Sequence, residues 1–167
     1  HGVIENTANL VYEFQPGALN ESFADVFGSL IDDEDWKIGE DIVKSGKFPN
    51  NALRDMQNPH NGGDKSDWFW QPKHMNEYLN LSINDDNGGV HGNSGIPNHA
   101  FYLFATAVGR DKAGAVYYRA LDNYLTQNSQ FVDCRLAVVK SATELYGDAT
   151  ADEARKAFTA VGIIADD

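Results

Sequence analysis

Glu21 and Asp25 are four residues apart, a spacing that places both carboxylates on one face of a helix. Apolar residues at positions 19, 23 and 27 interleave with them, so we expect this helix to be buried on one side. A carboxylate at such a boundary suits a metal site. The same spacing is also common in a solvent-exposed acidic stripe, and on spacing alone both interpretations stay open.

His91 lies in a glycine-rich run, Asn87-Gly88-Gly89-Val90-His91-Gly92-Asn93-Ser94-Gly95, just before a predicted helix. The glycines allow a close backbone approach, and Asp86 can hold one nitrogen of the His91 ring so that the other faces a cleft. A histidine held in this way can stabilise a developing oxyanion. The alternative is an exposed loop histidine without a chemical role.

Together with the histidine at position 1, these segments resemble the carboxyl-terminal half of a thermolysin-family zinc endopeptidase, also called a neutral protease. That family holds zinc on an H-E-x-x-H helix turn and on a glutamate about twenty residues further along, which is the separation of His1 and Glu21. The resemblance implies that His1 is the last histidine of that motif and that Glu21 is the third zinc ligand. The first histidine and the catalytic glutamate would lie upstream.

The resemblance also implies roles for the residues around the zinc ligands. Asp25 would orient the first histidine of the motif, and Asn20 would steady His1. His91 and Tyr12 would donate hydrogen bonds to the oxyanion of the tetrahedral intermediate. Asp86 would fix the orientation of the His91 ring.

Substrate binding is implied in the same way. Arg54 would hold the substrate carbonyl beyond the cleaved bond, and three apolar residues match positions that line the pocket for the residue after that bond: Ile38, Ile42 and Leu53. Such a pocket would favour leucine, phenylalanine or similar side chains. Without the resemblance, Arg54 would be taken as a surface arginine and the three apolar residues as part of the core.

Acidic residues surround Trp36 between positions 32 and 41, at a spacing that does not fit an EF-hand loop. In the family resembled, this region binds structural calcium, and the matching positions are Asp32, Asp35 and Glu40. The loop between the first two is much shorter here, and Lys37 stands where an acidic residue is usual. We therefore expect one calcium site or none.

The composition limits the kinds of partner and environment that are expected for this chain. The chain has 13 Lys and Arg against 25 Asp and Glu, for a formal net charge of −12, which excludes nucleic acid as a favoured partner. No apolar stretch approaches the roughly 18 to 20 residues of a membrane span. Cys134 is the only cysteine, so no internal disulfide is expected. No signal peptide opens the chain, but the resemblance implies a secreted, extracellular bacterial protease.

The secondary structure predicted from the sequence is mostly helical. Gln15-Pro16-Gly17 predicts a turn, and residues 32–95 predict long ordered loops with a brief helical hint at 38–43. Apolar periodicity, with predicted caps at Ser129 and Thr150, indicates five helices: 18–31, 97–108, 111–125, 130–145 and 151–161. The fold class is mainly α, one helical domain over residues 1–167 with five to six helices.

The chemistry implied is zinc-dependent hydrolysis of a peptide or protein substrate, with calcium as a further candidate ion. The isolated chain is expected to be inactive, because the catalytic glutamate and one histidine ligand would belong to an amino-terminal half that residues 1–167 lack. The alternative is a non-catalytic, acidic calcium- or protein-binding module. That alternative predicts eroded ligand positions, whereas Glu21, Asp25, Arg54, Asp86 and His91 are all present.

Overall fold

The computed structural model describes residues 1–167 and is mainly α-helical, as the sequence predicts. Two short strands, β1 (Lys37–Ile38) and β2 (Arg54–Asp55), form an antiparallel pair. Short 3-10 helices cover Pro59–Gly62 and Met75–Glu77. The α-helices are α1 (Gly2–Glu5), α2 (Phe14–Ile31), α3 (Asp86–Asn93), α4 (Gly95–Val108), α5 (Arg110–Asn123), α6 (Phe131–Tyr146) and α7 (Asp148–Ala160). No helix has both the length and the apolar character that crossing a membrane requires.

Helix α2 begins earlier than predicted, because Pro16 lies in its first turn instead of in a preceding turn. The backbone nitrogens of a first helical turn have no partner within the helix, so a proline there removes no hydrogen bond. One face of α2 buries Leu19, Phe23 and Val26 in the core. Because this face is packed in the core, the positions of the polar residues of α2 are fixed.

Aromatic rings join α2 to α4 and α5. Tyr117 of α5 packs against Phe101 of α4 at 4.8 Å between ring centroids and against Phe23 of α2 at 5.6 Å. Cys134 of α6 lies in the same core, and burial raises the pKa of its thiol. These contacts fix the direction of α2 relative to the helices behind it.

Gly109 and Gly147 directly follow helices α4 and α6 and adopt positive φ angles of 92° and 86°, as expected for glycine after a helix. Two predicted caps were wrong. Gln130, instead of Ser129, forms a reciprocal capping box with Asp133 at the start of α6. Helix α7 begins at Asp148, so Thr150 lies inside it and is buried.

Residues 32–85 contain little regular structure and are held together by polar contacts. The Asp55 carboxylate accepts hydrogen bonds from the side chains of Asn50 and Asn61 and from two backbone nitrogens. Arg110 lies 3.7 Å from the centre of the Trp36 ring, which ties this region to α5. The helical hint at 38–43 was wrong, because β1 occupies its start and turns follow.

Candidate active site

The buried polar residues of helix α2 include Asn20, Glu21 and Asp25. Each is at most 7% exposed, and each has a specific partner. Burial of two carboxylates is costly unless they are paired or bind a cation. This concentration of buried acid distinguishes the face from a solvated acidic stripe.

His1 is held so that only one ring nitrogen is free. The Asn20 amide nitrogen donates to the backbone oxygen of Leu10 at 3.0 Å, which turns the Asn20 oxygen towards His1. His1 Nδ1 therefore donates to Asn20 Oδ1 at 2.8 Å. The lone pair of Nε2 is left available, and Nε2 lies 3.5 Å from Glu21 Oε1.

Tyr12 joins Glu21 to His91. The Tyr12 hydroxyl donates to Glu21 Oε1 and lies 3.1 Å from His91 Nε2, which is itself 3.7 Å from the same carboxylate oxygen. Burial, reinforced by the Glu21 hydrogen bond and charge, raises the pKa of the Tyr12 phenol well above its usual value. The phenol therefore keeps its proton and remains a hydrogen-bond donor throughout the neutral range.

A left-handed turn positions His91. Asp86, Asn87, Gly88 and Gly89 have consecutive positive φ angles of 54°, 48°, 83° and 86°, although they lie at the start of α3. A side chain at Gly88 would place its Cβ 2.3 Å from the Phe14 ring, so glycine is required there. Non-glycine residues adopt this conformation at a cost, and such strain is typical of functional sites.

Both carboxylate oxygens of Asp86 accept hydrogen bonds from the segment that follows the turn. Oδ1 lies 2.5 Å from His91 Nδ1, and Oδ2 accepts from the backbone nitrogens of His91 at 2.9 Å and Gly92 at 3.3 Å. Because a carboxylate only accepts, His91 Nδ1 is the donor, and Nε2 faces Tyr12 and Glu21. The turn and Asp86 together determine where the ring points.

Asp25 binds Arg54 in a bidentate ion pair, with distances of 2.8 Å and 2.7 Å. Asn98 of α4 donates to the same carboxylate at 2.9 Å. Burial works to lower the pKa of the Arg54 guanidinium, but the hydrogen bond and charge of Asp25 outweigh burial and raise it. Within residues 1–167, the partners of Asp25 are thus an arginine and an asparagine, and Arg54 stays cationic beside the cleft.

A pocket of about 230 Å³ opens between Arg54 and His91. Its other walls are Trp68, Phe69, Gln71 and Asp86. A larger cavity of about 590 Å³ is lined by residues that include His1, Tyr12 and Asn20. Residues of the candidate site therefore line two recesses.

The structure does not bring the three predicted pocket residues to the 230 Å³ pocket. Ile38 packs against the hydrophobic core, Ile42 is 78% exposed, and Leu53 is adjacent to Gly39. The β1–β2 pairing places Ile38 opposite Arg54, where Ile38 packs against the core.

The predicted calcium ligands Asp32, Asp35 and Glu40 do not form a common group, and no three His, Cys, Asp or Glu side chains are placed to hold a metal ion. Asp35 is instead directed at Lys37. Its carboxylate accepts from the Lys37 backbone nitrogen at 2.7 Å and lies 3.5 Å from the Lys37 ammonium group. A lysine thus compensates the charge that a cation would otherwise neutralise.

Four site residues carried no usable sequence signal. Gln71, 3% exposed, donates from Nε2 to the backbone oxygen of His91 at 2.6 Å and to Ser94 at 3.0 Å. Asn98 supports Asp25, and Trp68 and Phe69 line the pocket. Each contact joins residues far apart in the chain, so no local spacing reveals it.

Comparisons with known proteins agree with this arrangement. Residues 8–163 match the family described as thermolysin metallopeptidase, alpha-helical domain. Extracellular elastase from Staphylococcus epidermidis is 48% identical over 163 residues, which cover 98% of this chain and 30% of that protein. Bacillolysin from Bacillus amyloliquefaciens is 50% identical over 165 residues, covering 98% of this chain and 30% of that protein.

A solved structure extends the similarity to the fold. The precursor of protealysin, a metalloproteinase from Serratia proteamaculans, superimposes with a TM-score of 0.88 at 38% identity, over 98% of this chain and 55% of that one. The chain spans only 30% of the length of the two curated relatives. The sequence match and the shared fold together show that this chain belongs to the thermolysin metallopeptidase family, as its α-helical domain.

Proposed function

We propose that this chain contributes one side of the active site of a zinc-dependent endopeptidase. The observation that carries the proposal is the convergence of His1, Tyr12, Glu21 and His91, whose polar atoms lie within 3.7 Å of Glu21 Oε1 or of one another. Such a group combines metal ligands with oxyanion donors, as peptide hydrolysis requires.

The geometry of His1 and Glu21 fits zinc. Two ligand atoms about 2.0–2.1 Å from a tetrahedral zinc ion are about 3.3–3.4 Å apart. His1 Nε2 and Glu21 Oε1 are 3.5 Å apart, and the hydrogen bond from His1 Nδ1 to Asn20 leaves Nε2 as the ligating atom. A catalytic zinc site takes three protein ligands, of which this chain supplies two.

When bound, zinc polarises the substrate carbonyl and activates water. Tyr12 supplies a protonated hydroxyl, and His91 donates from Nε2 when its ring carries two protons, so both stabilise the oxyanion that forms on the substrate. Asp86 keeps the His91 ring in place by accepting from Nδ1. Arg54, held by Asp25, offers a fixed cation to a substrate carbonyl beyond the cleaved bond.

The remaining zinc ligand and the glutamate that takes the proton from water come from outside residues 1–167 in this proposal. We use "parent protein" for the polypeptide in which this chain is completed by such an amino-terminal half. The parent protein is proposed to be secreted, since the relative from Staphylococcus epidermidis is named an extracellular elastase. Calcium binding by Asp32, Asp35 and Glu40 stays a prediction without a preformed ligand group to support it.

The alternative, a non-catalytic acidic binding module, is not favoured. Its ligands would be the acidic residues between positions 32 and 41, which are not gathered into a site. The carboxylates of Glu21, Asp25 and Asp86, in contrast, are each directed at a residue with a proposed role in hydrolysis.

The test is a chimera in which residues 1–167 replace the matching part of bacillolysin. We expect the chimera to bind one zinc ion and to cleave casein, whereas the isolated chain does neither, because two ligands hold zinc weakly. In the chimera, His91→Ala should lower kcat/KM by roughly 10² to 10³, the scale for loss of one oxyanion donor. Tight zinc binding and casein cleavage by the isolated chain would contradict this division of the site.

A further inference from the structure

A buried glutamine side chain contacts the main chain of His91. The Gln71 amide nitrogen donates to the His91 backbone oxygen at 2.6 Å and to Ser94 Oγ at 3.0 Å. Ser94 Oγ donates to the same backbone oxygen at 2.9 Å. This oxygen belongs to one of the last four residues of α3, whose carbonyl groups have no donor within that helix. Two side chains therefore supply the donors that the helix does not.

Few contacts hold the ring of His91. Its side chain is 48% exposed, so packing alone does not fix its orientation. Asp86 accepts from the ring Nδ1 and from the His91 backbone nitrogen, whereas Gln71 donates to the backbone oxygen. A shift of the main chain at either end would move Nε2, which lies 3.1 Å from the Tyr12 hydroxyl. A misplacement of about 1 Å in a reacting site can lower the rate about 10²-fold.

Gln71 is itself closely held. Its backbone nitrogen donates to the Pro59 backbone oxygen at 3.3 Å. A Cβ on Gly95, the first residue of α4, would lie 2.6 Å from the Gln71 Cβ and 2.5 Å from the Pro72 backbone oxygen. Only glycine leaves room for so close an approach. The Gln71 amide therefore reaches His91 from a segment that is packed against the start of α4.

We propose that Gln71 is a positioning residue for peptide hydrolysis, because its amide group fixes the main chain at His91 and thereby the place of Nε2 beside Tyr12. The proposal rests on the proposed function, in which His91 stabilises the oxyanion. The amide nitrogen is the group that this role requires. An ionised glutamate of similar size has only acceptor oxygens, so it would face the His91 backbone oxygen without a donor.

The first test is kinetic and uses Gln71→Glu in the parent protein. The value of kcat/KM for a peptide should fall roughly 10- to 100-fold, the scale for partners that orient a functional histidine. The loss should lie in kcat, with KM nearly unchanged, because His91 interacts with the oxyanion only in the transition state. Ser94→Ala removes the other donor and little volume, so it should give a smaller loss of the same kind.

The second test is spectroscopic and uses residues 1–167. The NMR shifts of the His91 ring nitrogens, assigned by their loss in His91→Ala, report which nitrogen carries the proton. At a pH at which the ring is neutral, the wild type should carry it on Nδ1, as the Asp86 hydrogen bond requires. In Gln71→Glu, both tautomers should be populated, because a shifted main chain weakens that hydrogen bond.

Two variants are the controls. Gln57→Ala removes an exposed glutamine and should change neither measurement. Val138→Ala removes apolar contacts from the buried side of α6, so it should lower stability without changing kcat or the ring shifts.

An equal fall of kcat in Val138→Ala would mean that Gln71 acts through stability alone. A rise in KM with kcat unchanged in Gln71→Glu would mean that Gln71 binds substrate instead. Either result would overturn the proposal, as would an unchanged tautomer in Gln71→Glu. A wild-type parent protein without peptidase activity would instead refute the proposed function, while the ring shifts would still show whether Gln71 positions His91.

Discussion

At the scale of single residues, Asp86 joins two tasks in one carboxylate. It satisfies backbone nitrogens at the start of the right-handed part of α3, and it holds the His91 ring by Nδ1. A neutral amide has one acceptor oxygen and no charge, so it cannot accept from the ring through one oxygen and from the backbone through another. The position of this residue therefore links local folding to chemistry.

Asp86→Asn in the parent protein should lower kcat/KM by roughly 10- to 100-fold, as for other partners that orient a functional histidine. The measurement is steady-state hydrolysis of a peptide across the pH range. Asp85→Asn is the control, because Asp85 makes its side-chain contact with Ser82 and not with His91. An equal loss in both variants would mean that Asp86 acts only on the structure of the turn.

From the sequence, the site could be predicted only where the residues that act together lie a few positions apart. Glu21 and Asp25 share a helix face, and Asp86 and His91 are five residues apart, so local geometry places each pair. Gln71 and Asn98 reach their partners across 20 and 73 residues. Contacts between residues so far apart depend on the whole fold, and the periodic pattern of a sequence does not predict them.

At the scale of elements, the left-handed turn of residues 86–89 determines the orientation of the His91 ring. Gly88→Ala should destabilise the protein by about 1–3 kcal/mol, because alanine strains at φ 83° and its Cβ collides with Phe14. Urea denaturation measures this change, and the activity of the parent protein should fall with it as the ring shifts.

Gly28→Ala provides the control for that substitution. Gly28 lies inside α2, and a Cβ there meets nothing within 4 Å. Alanine should therefore leave stability unchanged or raise it by roughly 0.4–1 kcal/mol, through the lower entropy of the unfolded chain. An equal change in stability for the two substitutions would mean that position 88 does not require glycine.

Helices α2 and α4 to α7 were predicted because their apolar periods and terminal glycines are local signals, whereas α1 was not predicted and α3 was predicted as a loop. Pro16 was misjudged, since proline marks both turns and first helical turns, and neighbouring residues do not separate the two. The sequence between α2 and α3 shows almost no pattern that predicts secondary structure. Its conformation depends on residues such as Asp55, which accepts hydrogen bonds from side-chain amides and backbone nitrogens. Such partners follow no periodic pattern in the sequence.

At the scale of the whole molecule, a buried ion pair closes the carboxyl-terminal segment onto α6. Arg135 donates to the Asp167 carboxylate, to Thr159 and to the backbone oxygen of Ile163. The Arg135 hydrogen bond, reinforced by its charge, holds the pKa of Asp167 below its usual value. The Arg135 cation thereby adds polar contacts to the apolar residues through which α7 packs in the core.

The lowered pKa of Asp167 gives stability a definite dependence on pH. The contribution is fully present above the ordinary aspartate pKa, near 4, and is lost as the pH falls through the lower value of the folded state. Asp167→Asn should destabilise the protein by roughly 1–3 kcal/mol at pH 7, with the difference from wild type shrinking at the most acidic pH values. Urea denaturation between pH 7 and pH 2.5 measures both; a difference independent of pH would contradict it.

Cys134 has a practical consequence at this same scale. It is the only thiol in the chain, it lies in the core, and its raised pKa keeps it in the unreactive protonated form. Residues 1–167 in their folded state should therefore not react with maleimide or iodoacetamide dyes. A cysteine introduced at an exposed position beside the cleft would be the single point of attachment for a fluorophore, and peptide binding could be followed there without altering any native residue of the core.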